Sequence, residues 1–270
     1  MKGKRDYRAL DRPEILRVLF YPRPDWSMSL NHRLAMSLMI PVAERVEVQA
    51  QAYISAQDAP NIIFFHGNGE IASDYQEMAP FFTDRGINLI VCEYRGYGCS
   101  GGVPTVSDMM ADSLTIFDYL KRWFHENSFS GMIIIMGRSL GSASALEIAD
   151  NHPGGIDGLI IESGFAYITP LLQLLGVDLA ALKISEEQGI GNLSKIRNID
   201  TPTLIIHAQY DHIIAYKEGE ALFAASAAKA KKMLRIAGAN HNNIFIAGMT
   251  DYMTAIAWLI ETAARIKPER

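Results

Sequence analysis

Gly131-Met132-Ile133-Ile134-Ile135-Met136-Gly137-Arg138-Ser139-Leu140-Gly141-Ser142-Ala143-Ser144-Ala145-Leu146 runs from an apolar, strand-like segment through Gly-Arg-Ser-Leu-Gly into a string of small residues. A serine between two glycines at a strand-to-helix turn is forced onto a sharp bend that lifts its hydroxyl out of the sheet. The glycines suit a turn so crowded that a Cβ would clash, and the small residues after it let a helix pack closely on its strand. The pattern G-x-S-x-G arises by chance in about one chain in ten of this length. Its weight therefore rests on what surrounds it.

Beyond residue 60, short apolar runs alternate with amphipathic stretches, the order of parallel strands joined by crossover helices. Strands are predicted at 61–65, 87–93, 132–136, 158–162, 203–207 and 232–236. Their nearly unbroken apolarity suits a sheet covered on both faces. Helices are predicted at 74–85, 107–125, 140–151, 217–228 and 251–266. Residues 44–54 alternate apolar and polar side chains (Val46, Val48, Ala50, Ala52, Ile54), which predicts an antiparallel strand near the N-terminal edge. The fold class is α/β, a mostly parallel twisted sheet with helices on both faces, in one domain over 1–270. Residues 167–191 insert an apolar, leucine-rich stretch between two strands and admit two readings, an ordinary crossover and a small lid.

A serine hydroxyl is a poor nucleophile until a base takes its proton, and the base needs an acid to fix its tautomer. Of seven histidines, His241 sits in Gly238-Ala239-Asn240-His241-Asn242, between the last strand and the last helix. Sites in open α/β sheets collect at that edge. Asp211 follows the strand 203–207 across a short turn and is the favoured acid, with Glu162 its rival; an aspartate there also has an ordinary use in forming turns. A developing oxyanion needs donors. Leu140, after the serine, offers a backbone N–H at the helix start, and Asn68 in His66-Gly67-Asn68-Gly69 offers a second. His66 is read as a structural strand-end residue.

The chain carries 49% hydrophobic and 20% charged residues with a formal net charge of -5. That balance argues for a globular protein and against nucleic acid as a partner. Two cysteines, Cys92 and Cys99, make no disulfide framework, and no Cys/His spacing matches a zinc site. No cofactor is expected. No unbroken apolar run approaches the roughly 18 residues of a spanning helix, so a cytoplasmic location is expected. Peripheral membrane contact through the apolar insertion stays open.

Together, His66-Gly67-Asn68, Glu93-Tyr94-Arg95-Gly96-Tyr97-Gly98-Cys99-Ser100, Gly137-Arg138-Ser139-Leu140-Gly141-Ser142, Glu162-Ser163-Gly164-Phe165 and Gly238-Ala239-Asn240-His241-Asn242 resemble the α/β-hydrolase superfamily. The match runs from about Asn61 onward and looks like the small serine-hydrolase branch with little or no cap, which includes bacterial esterase-like proteins and protein depalmitoylases. Glu93 stands where that branch usually has Asp. The resemblance implies a triad of Ser139, Asp211 and His241, an oxyanion hole of Asn68 and Leu140, and hydrolysis of a carboxylic ester or thioester in a small-molecule or acylated substrate. Two alternatives are a peptidase or amidase using the same residues and a non-catalytic binding protein on the same fold.

Overall fold

The computed structural model describes residues 5–25 and 35–266. Eight strands form one sheet: β1 (Ala35–Ala43), β2 (Val46–Tyr53), β3 (Asn61–Phe65), β4 (Asn88–Cys92), β5 (Ile133–Arg138), β6 (Gly158–Glu162), β7 (Thr203–Ala208) and β8 (Lys231–Ile236). The helices are α1 (Pro13–Leu19), α2 (Ala79–Thr83), α3 (Val106–Glu126), α4 (Gly141–Asn151), α5 (Ile168–Leu174), α6 (Leu179–Leu182), α7 (Asn192–Ile196), α8 (Tyr216–Ala225) and α9 (Ile244–Ile266).

The strand order is β1-β2-β4-β3-β5-β6-β7-β8. β2 runs antiparallel to both its neighbours, β1 and β4, and from β4 to β8 every pairing is parallel. Side chains alternate between two cores. Ile63, Phe65, Ile90, Cys92 and Ile135 face the core built with α3 and α4. Ile62, Phe64, Leu89, Val91 and Met136 face the one built with α2 and α9. Both faces are therefore covered, and this is why the central strands read as continuous apolar runs rather than alternating ones.

The helices α1 and α7 have no counterpart in the sequence reading, and three further elements depart from it. β1 is absent from it; this edge strand has mostly half-buried or exposed residues and carries Pro41 at an irregularity in its pairing, so the two-residue period is faint. The single helix expected at 74–85 is a 3₁₀ turn, Ala72–Tyr75, followed by the short α2, with Pro80 inside the first turn of α2. α9 begins at Ile244, seven residues before the predicted start, and bends at Gly248. It is thus long and apolar enough to cross a membrane by length and composition. Its Tyr252, Met253, Ile256 and Leu259 are instead buried in the core against the sheet.

The 167–191 segment folds back on itself. The Glu186 carboxylate accepts the backbone N–H groups of Ile168 and Thr169 at 3.1 and 3.0 Å, caps that satisfy free donors at the start of α5. Ile168 and Leu172 are buried, while Leu174 is 60% exposed.

Because α9 contributes to the core, Leu259→Ala is expected to lower the unfolding free energy by about 2–5 kcal/mol, measured by urea denaturation without detergent. An unchanged midpoint would mean that α9 does not pack on the sheet.

Candidate active site

The loops after the parallel strands gather at one edge of the sheet, and β5 delivers Ser139 there. Ser139 has φ +51°, a left-handed conformation costly for a residue with a side chain and characteristic of functional turns. The flanking glycines are compulsory. A Cβ on Gly137 would lie 2.3 Å from the Gly141 carbonyl oxygen, and one on Gly141 would lie 2.0 Å from that of Phe65. Ser142 Oγ donates to the Ser139 carbonyl at 2.6 Å, closing the turn into α4.

Asp211 and His241, predicted from sequence to pair, meet. Nδ1 of His241 lies 2.7 Å from Oδ2 of Asp211. Oδ1 of the same carboxylate accepts the backbone N–H groups of Ile213 and Ile214 at 3.0 and 2.8 Å. Burial alone would raise the Asp211 pKa, but the His241 hydrogen bond and these amides outweigh it, holding the carboxyl below its ordinary value. An ionised acceptor makes Nδ1 the protonated nitrogen and leaves Nε2 with its lone pair. Among the described residues, no hydrogen bond joins the Ser139 hydroxyl to the His241 ring. Such contacts are often long without substrate.

The rival acid, Glu162, is engaged elsewhere. It takes Nη1 of Arg138 at 2.5 Å and the hydroxyl of Tyr252. Arg138, next to Ser139 in the chain and only 7% exposed, also donates through Nε to Glu70 at 2.8 Å and through Nη2 to the His241 carbonyl at 2.8 Å. The residue beside the serine thus holds the backbone of the histidine. Sequence reading misses this role. Its only local signal is a charged residue at the second position of the pentapeptide, since the partners lie 68, 24 and 103 positions away.

The loop after β3 is fixed from several sides. His66 is fully buried, with Nε2 2.9 Å from Glu93 and Nδ1 2.8 Å from the Gly67 carbonyl. Burial opposes its protonation, but the Glu93 carboxylate wins and raises its pKa above the ordinary value. Glu93 also accepts the Ala72 N–H at 2.7 Å. Asn68 Oδ1 accepts the Tyr21 N–H at 2.6 Å and the Tyr97 hydroxyl at 2.7 Å. Among the described residues, neither the Asn68 N–H nor the Leu140 N–H donates to a protein acceptor, so both are free to serve a ligand. Also among the described residues, no group of three His, Cys, Asp or Glu side chains is arranged to hold a metal ion.

Comparison with known proteins agrees with this architecture. The family model described as "Serine aminopeptidase, S33" matches residues 56–187, a span that contains Asn68, Ser139 and Leu140 and ends before Asp211 and His241. The chain is 26% identical over 220 residues to the uncharacterized protein YfhR of Salmonella typhimurium, covering 76% of this chain and 73% of that one. It is also 26% identical over 235 residues to the human alpha/beta hydrolase domain-containing protein 17B, with coverages of 84% and 76%. Among solved structures, the esterase Pf2001 of Pyrococcus furiosus aligns with a TM-score of 0.70 at 16% identity, over 90% of this chain and 98% of that one. The monoacylglycerol lipase of Paleococcus ferrophilus aligns at 0.60 and 19%, over 80% and 99%.

Two measurements test the charged cluster. Arg138→Met leaves Glu70 and Glu162 without their counter-charge and is expected to cost about 3–5 kcal/mol in urea denaturation at pH 7. Burial works against ionised Glu70, yet Arg138 and the Tyr75 hydroxyl hold its pKa at about 2, against an ordinary 4.5. A depressed carboxyl stabilises the fold fully above pH 4.5 and loses that contribution as pH falls from 4.5 through 2. About 3 kcal/mol is at stake. Glu70→Gln should flatten the stability profile in that window, whereas an unaltered slope would show that Glu70 is not the group responsible.

Proposed function

We propose that the chain is a serine hydrolase of the α/β-hydrolase superfamily, cleaving a carboxylic ester or thioester through an acyl-enzyme on Ser139, a reading supported by the family model over residues 56–187 and the fold it shares with solved esterases. The observation that carries this reading is the strained Ser139 turn beside an Asp211–His241 pair whose backbone is tied to that turn by Arg138. In the proposed reaction Ser139 Oγ attacks the substrate carbonyl carbon while His241 Nε2 takes the hydroxyl proton. Asp211 stabilises the imidazolium so formed, and the Asn68 and Leu140 N–H groups receive the oxyanion. Collapse of the tetrahedral intermediate expels the leaving group, which takes the proton from His241. Water, deprotonated by His241, then attacks the acyl-enzyme and releases the acid.

A cavity of about 250 Å³ beside Asp211, walled by Tyr167, Leu171, Leu174 and Ile213, supports an apolar acyl group as the part held on that side. In this reading the 167–191 segment is a wall of the acyl pocket. Hydrolysis of a peptide or other amide is a second reading, favoured by the description of the matching family as an aminopeptidase. A cytoplasmic location belongs to the same proposal.

Ser139→Ala is expected to abolish both ester turnover and labelling by a fluorophosphonate; persistence of either rejects the nucleophile. Asp211→Asn, which keeps the shape but favours the wrong imidazole tautomer, should reduce kcat by about 10⁴ with little change in KM. A panel of p-nitrophenyl esters of graded chain length, an acyl thioester and a peptidyl amide separates the two readings by their relative kcat/KM.

A further inference from the structure

A second cleft, of about 370 Å³, lies between the segment 70–81 and the first turn of α9. Its inner end is reached by the buried Arg138 and Glu162, and Asn242 lines it too. One of these residues directly precedes Ser139 and another directly follows His241, so the cleft adjoins the proposed active site through its chain neighbours, while Ser139 and His241 themselves do not line it. Half of its lining is apolar, and half of that is aromatic. Tyr75, Met78 and Phe81 face Ile244, Phe245 and Ile246, and the Phe81 and Phe245 rings meet edge to face at 5.5 Å. Ile246 is 83% exposed, a large apolar side chain left at the mouth.

The charge of this lining is unbalanced. Four carboxylates, Glu70, Asp74, Glu77 and Glu162, stand against the single guanidinium of Arg138. Arg138 is shared by Glu70 and Glu162, and Arg23 pairs with Asp74 from outside the cleft. Glu77, exposed at the rim, has no ion-pair partner among the described residues. A low-dielectric cleft with an excess of carboxylates focuses a negative potential, repelling an anionic group and attracting a cation. Aromatic walls add the attraction of ring faces for an ammonium ion, worth about 0.5–2 kcal/mol.

We propose that this cleft binds an apolar organic ammonium group, with the hydrocarbon between the α2 and α9 aromatics and the charge toward Glu77. Its use as a substrate subsite, giving the enzyme a preference for esters or thioesters that carry such a group, rests on the serine-hydrolase reading; the binding itself does not.

The binding arm uses the Ser139→Ala chain and isothermal titration calorimetry, so that no turnover intervenes. The probes are 4-phenylbutylammonium and its neutral counterpart 4-phenylbutanol. The cation is expected to bind about tenfold more tightly at low salt, with the margin shrinking as salt rises. Glu77→Lys should bring the two probes within about twofold of each other, and Glu77→Gln should fall between. Equal affinity in the parent chain, or a preference that Glu77→Lys leaves intact, overturns the proposal. The turnover arm compares a dimethylaminoalkyl ester with its isosteric neutral alkyl ester on the chain with Ser139 intact. Loss of the kcat/KM preference in Glu77→Lys, with neutral-ester turnover unchanged, supports the subsite. Turnover with no preference in the parent overturns it. If neither ester is hydrolysed while the calorimetric preference stands, the hydrolase reading fails and the cation site survives.

Discussion

The guanidinium of Arg138 organises the site. It is buried at the carboxyl end of β5, where an unpaired cation would be untenable, and its planar fork meets three partners in three directions: Glu70 behind the β3 loop, Glu162 at the end of β6, and the His241 carbonyl after β8. A lysine ammonium has no comparable fork. Glu162 in turn receives Tyr252 from α9, and Glu70 receives Tyr75 and the Gly67 N–H. Three loops and one helix are therefore referred to the residue next to Ser139. The position of the histidine depends on a backbone carbonyl held by this cluster, so the geometry of the pair with Asp211 is set partly by charges that take no part in the proposed chemistry.

What can be read from the sequence follows from which forces leave a local mark. β3 to β7 are legible because strands covered on both faces are apolar at nearly every position. The turn at Ser139 is legible because its crowding admits only glycine at 137 and 141. β1 is not, because an edge strand with half-exposed residues and a proline has little pattern to show. The 74–85 stretch misleads because its apolar spacing persists across a break that Pro80 shapes, and α9 reads short because Gly248 interrupts the periodicity just inside its true start. The Arg138 cluster leaves only the charged residue within the pentapeptide as a signal, since ion pairs between residues distant in the chain have no period. Glu162 competes as an acid for the histidine on its strand-end position alone, and the structure shows that position serving Arg138 and Tyr252.

Asp211 settles a choice that the sequence leaves between turn formation and support of the histidine. Its two carboxylate oxygens divide the roles, with Oδ1 accepting the two amides of its turn and Oδ2 taking the imidazole. The turn orients the carboxylate, so the two uses reinforce each other. Behind it, His207 is fully buried, with Nε2 2.8 Å from the Ile214 carbonyl. Burial lowers its pKa below the ordinary value, so at neutral pH it adds no positive charge to compete with His241 for Asp211.

The same economy explains why the polar residues after β3 are so numerous. An oxyanion hole stabilises developing charge only if its donors are fixed beforehand, because reorienting dipoles during the reaction would consume the gain. The Asn68 side chain is occupied by Tyr21 and Tyr97, the His66 carbonyl by the Tyr94 hydroxyl at 2.7 Å, and the His66 ring by Glu93. The Glu93 carboxylate reaches both His66 and the Ala72 amide and so ties the β3 loop to the 3₁₀ turn that follows. None of these groups needs to touch a substrate. Their combined effect is to hold the Asn68 backbone still, and that immobility is what the proposed role of its N–H requires.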